Sequence, residues 1–239
     1  MNTTPPGPFL TANWRNLVML NYELRADILQ PYVPVGTILD SWHGQFFVSL
    51  VGFQFLGTKV LGLPIPFNRN FEEINLRFYV RRELEDETRR GVVFLREFVP
   101  RQAIALVARH MYNEPYLALP MRHTVTMNPH IASYSWRREG RWNRFGVEAH
   151  RPPALPFTGS FEEFITEHYW GYTRQRDGST IEYQVIHPQW TVSSGAATID
   201  ADLAAVYGAE LAAQLRTPAS CFIASGSAIT VLRPQFLPT

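Results

Sequence analysis

The chain is short of several residue types on which common protein mechanisms depend. It has a single cysteine, Cys221, which excludes an intrachain disulfide and a zinc site built from several cysteines. It also has a single lysine, Lys59, so a covalent mechanism that needs a lysine must use that side chain. No run of about 18 apolar residues occurs, so we expect no membrane-spanning helix.

An excess of charge is lacking as well. The chain has 22 Lys+Arg and 21 Asp+Glu, a formal net charge of +1. Binding to nucleic acid or to an anionic membrane needs a basic excess, so we expect neither partner. Residues 1–20 show no basic segment followed by an apolar one, and we expect no secretory signal. Together with the lone cysteine, this predicts a cytoplasmic protein.

Apolar residues are plentiful but are divided into short segments. The 239 residues are 46% hydrophobic, which suits one β-rich domain over residues 1–239. Eighteen prolines and 15 glycines separate short alternating runs that are typical of antiparallel strands. Asp177-Gly178 gives the strongest hairpin signal. We therefore expect a mainly β fold, an antiparallel closed barrel or cone of around ten strands.

Helical patterns are few. The spacing predicts peripheral helices over 26–30, 101–112, 160–167 and 201–215. Ser160 begins the third of these at capping-box spacing. The strands are expected at 17–24, 38–42, 45–55, 72–82, 91–99, 116–127, 131–138, 141–150, 169–175, 179–186 and 221–232.

The segment 71–79 carries the most informative polar pattern. In a strand, Glu73, Asn75 and Arg77 share one face, because successive side chains point to opposite sides. That face could be in water, or it could line a barrel wide enough to hold a ligand. A carboxylate, an amide and a guanidinium in a row suit the binding of a carboxylate or carbonyl compound, or acid–base chemistry.

Other motifs give no site. The segment 52–59 resembles a phosphate-binding loop in spacing, but its Thr and Lys are in the wrong order and its filling is aromatic. No Gly-x-Ser-x-Gly motif of serine hydrolases occurs. His110, His123 and His130 fit no zinc spacing. We therefore expect no metal and no cofactor.

Several short segments, in a fixed order, resemble a known family. They are 29–36 (LQPYVPVG), 47–53 (FVSLVGF), 73–77 (EINLR), 112–116 (YNEPY), 164–169 (FITEHY) and 187–190 (HPQW). Together they resemble the YqjF-like, or DUF2071, family of uncharacterised bacterial proteins, in the acetoacetate decarboxylase-like superfamily. The resemblance implies a β-barrel or cone with three to four peripheral helices and a deep, partly apolar pocket. Superfamily members often form homo-oligomers, so it also makes a homo-oligomer one expected state.

The sequence departs from the decarboxylase at the reactive lysine. By resemblance, the decarboxylase places its Schiff-base lysine directly after a Gly-x-Pro turn, followed by a second lysine. The corresponding turn here is 113–115, which puts Tyr116 and Leu117 in the two lysine positions. No amine remains there to form an iminium, so Schiff-base decarboxylation is not expected. Glu73 falls in the segment that resembles the one supplying the decarboxylase's pocket glutamate.

These observations predict a pocket for a small anionic or carbonyl-bearing organic molecule. The alternative is a metal-independent lyase or hydrolase-like enzyme in which Glu73 is the base and Tyr116 donates a hydrogen bond to a developing oxyanion. A third alternative is an assembly protein with a vestigial pocket. The sequence leaves catalysis open. The candidate ligand-binding residues are Asn75, Arg77, Arg109, Trp14, Arg15 and His187.

Overall fold

The computed structural model describes residues 6–102, 113 and 115–237, and strands dominate them. The described helices are short: α1 (Ala26–Leu29), with a 3-10 turn at Gln30–Tyr32, α2 (Phe161–Thr166), α3 (Ala204–Tyr207) and α4 (Ala209–Gln214). The described strands are β1 (Pro8–Leu24), β2 (Ile38–Leu39), β3 (Phe46–Val60), β4 (Leu63–Pro64), β5 (Phe71–Glu83), β6 (Thr88–Val99), β7 (Tyr116–Ala118), β8 (Met121–Met127), β9 (His130–Arg138), β10 (Arg141–Ala149), β11 (Trp170–Arg174), β12 (Thr180–Ile186), β13 (Val192–Asp200), β14 (Ser220–Ala224), β15 (Ala228–Leu232) and β16 (Gln235–Phe236). The predicted mainly β fold is confirmed.

Seven strands pair in a ring. The order runs β3–β5–β6–β11–β12–β15–β1, and β1 pairs with β3 again. All of these pairings are antiparallel except that of β6 with β11, which is parallel. Since side chains alternate between the two faces of a strand, every second residue of the ring strands points inward.

A second layer of strands covers part of this ring. The second half of β1 leaves β15 and pairs with β14, which leads through β13, β10 and β9 to β8. Close contact between the layers is visible at Gly52 on β3. A Cβ there would lie 2.6 Å from the Tyr134 ring on β9, so only glycine lets these strands approach so closely.

The main core lies between the two layers. Ile74, Leu76, Phe78 and Val80 on β5 are fully buried and belong to the same apolar cluster as Tyr134 of the second layer. Their burial fixes the orientation of β5, because a shift of one residue would place the polar row in the core. The polar row of β5 therefore faces the ring interior.

The predicted helices differ from the described ones in the segment 201–215. The segment 201–215 was expected to be one helix, but Gly208, with φ of +83°, separates α3 from α4. A positive φ is incompatible with a continuous right-handed helix. The helix predicted over 101–112 falls almost wholly outside the described residues. The predictions near 26–30 and 160–167 are confirmed.

Two predicted strands are each divided, and three described strands were missed. The segment 116–127 forms β7 and β8, separated at Pro120, which has no backbone N–H to donate to a sheet. The segment 221–232 forms β14 and β15, separated at Gly226. A Cβ at Gly226 would lie 2.2 Å from the Trp14 carbonyl oxygen. The missed strands are β13 and the two-residue strands β4 and β16.

Candidate functional site

The ring of strands surrounds a cavity of about 370 Å³. That volume suits a small organic ligand, since pockets for such molecules begin at about 300 Å³. Aromatic and aliphatic side chains form most of the wall. The polar lining residues are Thr58, Asn68, Glu73, Asn75, Arg77, Glu97, Tyr116, Thr166, His168 and His187.

Strand β5 supplies three of these polar groups. Glu73, Asn75 and Arg77 alternate with the buried apolar row and line the cavity, with exposed fractions of only 3%, 1% and 9%. The sequence left open whether this row faces water or an interior. The structure places it in the interior, where each group has lost nearly all contact with bulk solvent.

Strand pairing brings two further polar groups beside them. In the register of the sheet, Asn75 on β5 lies opposite Glu97 on β6, and Glu97 lies opposite Tyr116 on β7. Paired residues on neighbouring strands point to the same face, so the three side chains share the cavity wall. Tyr116 thus lies beside the carboxylates as predicted.

Glu73 has two hydrogen-bond partners in the described structure. Asn75 Nδ2 donates to one carboxyl oxygen and the Tyr116 hydroxyl to the other, each at 3.0 Å. Burial raises the pKa of Glu73 to about 7, although these hydrogen bonds and the positive charge of Arg77 act in the opposite direction. A carboxyl group with such a pKa can give or take a proton near neutral pH.

Arg77 carries a positive charge that the described residues do not pair. Among them, its guanidinium forms no ion pair and donates no hydrogen bond to an oxygen, and its Nε is buried and unsatisfied. Its Cζ lies 5.8 Å from the centre of the Tyr79 ring. A buried positive charge is costly unless an anion compensates it, so an anionic group placed beside Arg77 would lower this cost.

A histidine that was not predicted also lines the cavity. His168 follows α2, and its Nε2 lies 3.2 Å from Asp40 Oδ2. Arg90 Nε donates to the same oxygen at 2.7 Å, and Arg81 Nη1 lies 3.4 Å from the other. Burial opposes ionisation of Asp40, but its hydrogen bonds with His168 and Arg90 hold its pKa below the ordinary value. Burial lowers the pKa of His168 to about 4.

Aromatic rings enclose another part of the cavity. The His187 ring stacks on Trp190 with centroids 4.1 Å apart, and Trp14 packs edge-on against Trp190 at 6.1 Å. Burial lowers the pKa of His187. Both Trp14 and His187, which were predicted as ligand-binding residues, therefore line the cavity.

Arg15 does not reach the cavity, which corrects its prediction as a ligand-binding residue. It follows Trp14 directly in β1, and adjacent strand residues point to opposite faces. Arg15 is exposed, and its Nη1 donates to the Gly226 carbonyl at 3.2 Å. Arg109 lies outside the described residues, so its role stays a prediction.

Lysine 59 is also absent from the cavity wall. Its neighbours Thr58 and Val60 line the cavity, whereas Lys59 is exposed on the opposite face of β3. The amine is therefore directed away from the buried polar groups.

The residues missed by sequence reasoning are Glu97, His168 and Asp40. His168 lies in segment 164–169, one of those that carry the family resemblance, which was a usable signal. Its partner Asp40 is 128 residues away, so no local pattern links the two. Glu97 is recognised as a cavity residue only from the pairing of β6 with β5, which places it opposite Asn75.

The described residues show neither a metal-binding cluster nor a membrane-spanning helix. They contain no group of three or more His, Cys, Asp or Glu side chains arranged to hold a metal ion. No helix within the same ranges is long and apolar enough to cross a membrane.

Comparison with solved structures shows the fold. The chain superposes on acetoacetate decarboxylase from Legionella pneumophila with a TM-score of 0.68 and 14% identity, covering 100% of this chain and 90% of that one. The enduracididine biosynthesis enzyme MppR complexed with pyruvate gives a TM-score of 0.66 and 14% identity, covering 99% and 92%. An acetoacetate decarboxylase-like enzyme from Sphingomonas wittichii gives 0.67 and 12%, covering 97% and 94%.

Comparison with sequences shows the family. The uncharacterised protein YqjF of Bacillus subtilis is 27% identical over 190 residues, which cover 78% of this chain and 76% of that protein. The model of the family DUF2071, described as an uncharacterised conserved protein, matches residues 11–228. The chain therefore belongs to the DUF2071 family and has the fold of acetoacetate decarboxylase.

Proposed function

We propose that the protein binds a small organic anion, a carboxylate with an apolar body, inside the ring of strands. The observation that supports this most is the buried guanidinium of Arg77, which forms no ion pair and donates no hydrogen bond among the described residues. A carboxylate is the natural partner, because its two oxygens match the paired N–H groups of a guanidinium.

The remaining wall of the cavity suits the apolar part of such a ligand. Phe53, Phe55, Phe71 and Trp190 line it, and a ring or alkyl chain placed there would lose its contact with water. Among the described residues of the wall, Arg77 is the one arginine or lysine and most of the others are apolar, which favours a small amphipathic acid over a highly charged ligand such as a nucleotide. The complex of the fold neighbour MppR with pyruvate, a small keto acid, is consistent with this class.

The test is a comparison of a carboxylate with its uncharged amide. Titration calorimetry with hydrocinnamate and hydrocinnamide should show clearly tighter binding of the carboxylate to the wild-type protein. Arg77→Met should remove that preference, since the anchoring charge is lost. Arg122→Met is the matched control, because Arg122 stacks on Trp142 and does not line the cavity. Equal binding of acid and amide, or an unchanged preference in Arg77→Met, would contradict the proposal.

A second candidate function, acid–base catalysis on the bound ligand, is favoured by Glu73. Its raised pKa keeps both protonation states populated near neutral pH. The ionised carboxyl group would take a proton from the carbon next to a ligand carbonyl. The Tyr116 hydroxyl would then donate a hydrogen bond to the enolate oxygen. This step requires neither a metal nor the amine of Lys59.

Proton exchange tests this second candidate directly. NMR in deuterated water should show that wild-type protein accelerates the exchange of the protons next to the keto group of α-ketobutyrate. Glu73→Gln should abolish the acceleration while retaining binding of hydrocinnamate. Equal exchange rates with wild type, with Glu73→Gln and without protein would leave binding as the function of the cavity.

A cytoplasmic location completes the proposal. With Cys221 as its single cysteine, the chain has no intrachain disulfide that would need an oxidising compartment. Fractionation of the source cells, with immunodetection of the protein, tests this location. Recovery outside the cytoplasmic fraction would contradict it.

A further inference from the structure

The pair formed by Asp40 and His168 has an arrangement that the proposed carboxylate anchor does not use. Asp40 does not line the cavity, whereas His168 does, so the imidazole stands between a buried carboxylate and the cavity. The carboxylate receives hydrogen bonds from Arg90 at 2.7 Å and from Arg81 at 3.4 Å. Asp40 is thus an ionised acceptor with no proton to offer.

The partners of His168 determine where its proton lies. Since Asp40 can only accept, the His168 nitrogen facing it, Nε2, must donate. Burial lowers the pKa of His168, so the ring is neutral at physiological pH and carries only this one proton. The second nitrogen, Nδ1, therefore bears a lone pair. It is buried and has no hydrogen-bond partner in the described structure.

His168 and the carboxylate anchor lie close together. Both side chains line the same cavity. The ring of Tyr79 has its centroid 4.6 Å from that of His168 and 5.8 Å from Cζ of Arg77, so each of them contacts this ring. The positive charge of Arg77 also contributes to the lowered pKa of His168. A small molecule in the cavity that spans from one residue to the other can therefore contact both.

We infer that the ligand is a hydroxy acid whose carboxylate binds Arg77 and whose hydroxyl group donates a hydrogen bond to Nδ1 of His168. This rests on the proposed function, and it specifies the substrate class. A buried acceptor without a partner is costly, and a ligand hydroxyl removes that cost. A ligand without a donor at this position leaves Nδ1 unsatisfied, so the site discriminates against it. Asp40, Arg90 and Arg81 act as positioning residues that fix the tautomer.

The experiment compares matched ligands that differ by one hydroxyl group. Calorimetry is performed with hydrocinnamate and with its α-hydroxy and β-hydroxy derivatives. For wild type, at least one hydroxy acid should bind about fivefold more tightly than hydrocinnamate, the gain of one neutral hydrogen bond. His168→Phe should lose this gain and still bind hydrocinnamate. His123→Phe is the matched control, since His123 pairs with a carboxylate, Glu72, but does not line the cavity.

A spectroscopic measurement on the wild-type protein covers the case in which His168→Phe does not fold. In protein labelled with ¹⁵N-histidine, the hydroxy acid should shift the resonance of the unprotonated Nδ1 of His168 upfield, and hydrocinnamate should not.

The outcomes separate this inference from the proposed function. If hydrocinnamate binds through Arg77 but neither hydroxyl adds affinity, or if His168→Phe keeps the gain, the hydroxy-acid inference is wrong and the carboxylate site stands. An Nδ1 resonance unmoved by the hydroxy acid leads to the same conclusion. If no carboxylate binds, or if binding does not depend on Arg77, both proposals fail.

Discussion

At the scale of single residues, burial has opposite effects on the titration of the two principal acid–base groups of the cavity. It disfavours the charged form of each, so the pKa of Glu73 rises and that of His168 falls. The folded protein therefore holds both groups neutral over part of the acidic range. Their contributions to the pH dependence of stability have opposite signs and partly cancel.

The contribution of Glu73 can be isolated with Glu73→Gln. Between a pH of about 4.5 and about 7, the unfolded chain has released this proton and the folded chain retains it. The free energy of unfolding of wild type should therefore fall across this range, relative to Glu73→Gln, by on the order of 3 kcal/mol. Denaturant unfolding of both proteins at several pH values measures the difference. A difference that stays constant, or that changes in the opposite direction, would contradict the buried, protonated state of Glu73.

At the scale of elements, β5 carries two independent functions on its two faces. Leu76 is fully buried between the strand layers, and its neighbours Asn75 and Arg77 line the cavity. Leu76→Ala should lower the free energy of unfolding by about 2–5 kcal/mol and leave hydrocinnamate binding by the folded fraction unchanged. The exposed Leu63 provides the control, since Leu63→Ala should change stability little. Chemical denaturation and calorimetry give the two readings, and a loss of affinity without a loss of stability would contradict this separation.

The sequence was most informative where the alternation of side chains was strong. The two faces of β5 and its approximate limits followed from the pattern of Glu73 to Val80, because alternation is a local property. By contrast, β13 was missed, since its small residues give no alternating signal. At Gly195, a Cβ would lie 1.9 Å from the Glu148 carbonyl oxygen on β10, so close strand contact explains a composition that looks like a loop.

The candidate site was predicted in part for the same reason. Glu73, Asn75 and Arg77 stand in one strand, and the motif around Tyr116 was apparent from family resemblance. Asp40 and His168 meet only through the folded ring, so their pairing could not be deduced from local spacing. Arg15 was misplaced because it was named together with its neighbour Trp14, and adjacent residues of a strand point to opposite faces.

At the scale of the whole molecule, the chain has the fold of acetoacetate decarboxylase, and among the described residues no lysine lines its cavity. Lys59 is exposed on the far side of β3. Borohydride reduction in the presence of pyruvate should therefore leave the intact mass of the protein unchanged by mass spectrometry, since no amine forms an iminium in the cavity. A stoichiometric adduct on Lys59 would overturn this expectation.

The ring of strands unites these observations, because it holds a cation, a protonatable carboxyl group and a neutral histidine in one apolar enclosure. The central proposal is that Arg77 binds a carboxylate in this enclosure. The most direct measurement is a crystal structure with a brominated hydrocinnamate, whose anomalous signal locates the ring. We predict bromine inside the cavity and carboxylate oxygens about 2.7–2.9 Å from the guanidinium of Arg77. A ligand bound elsewhere, or a carboxylate in the cavity out of reach of Arg77, would contradict the claim.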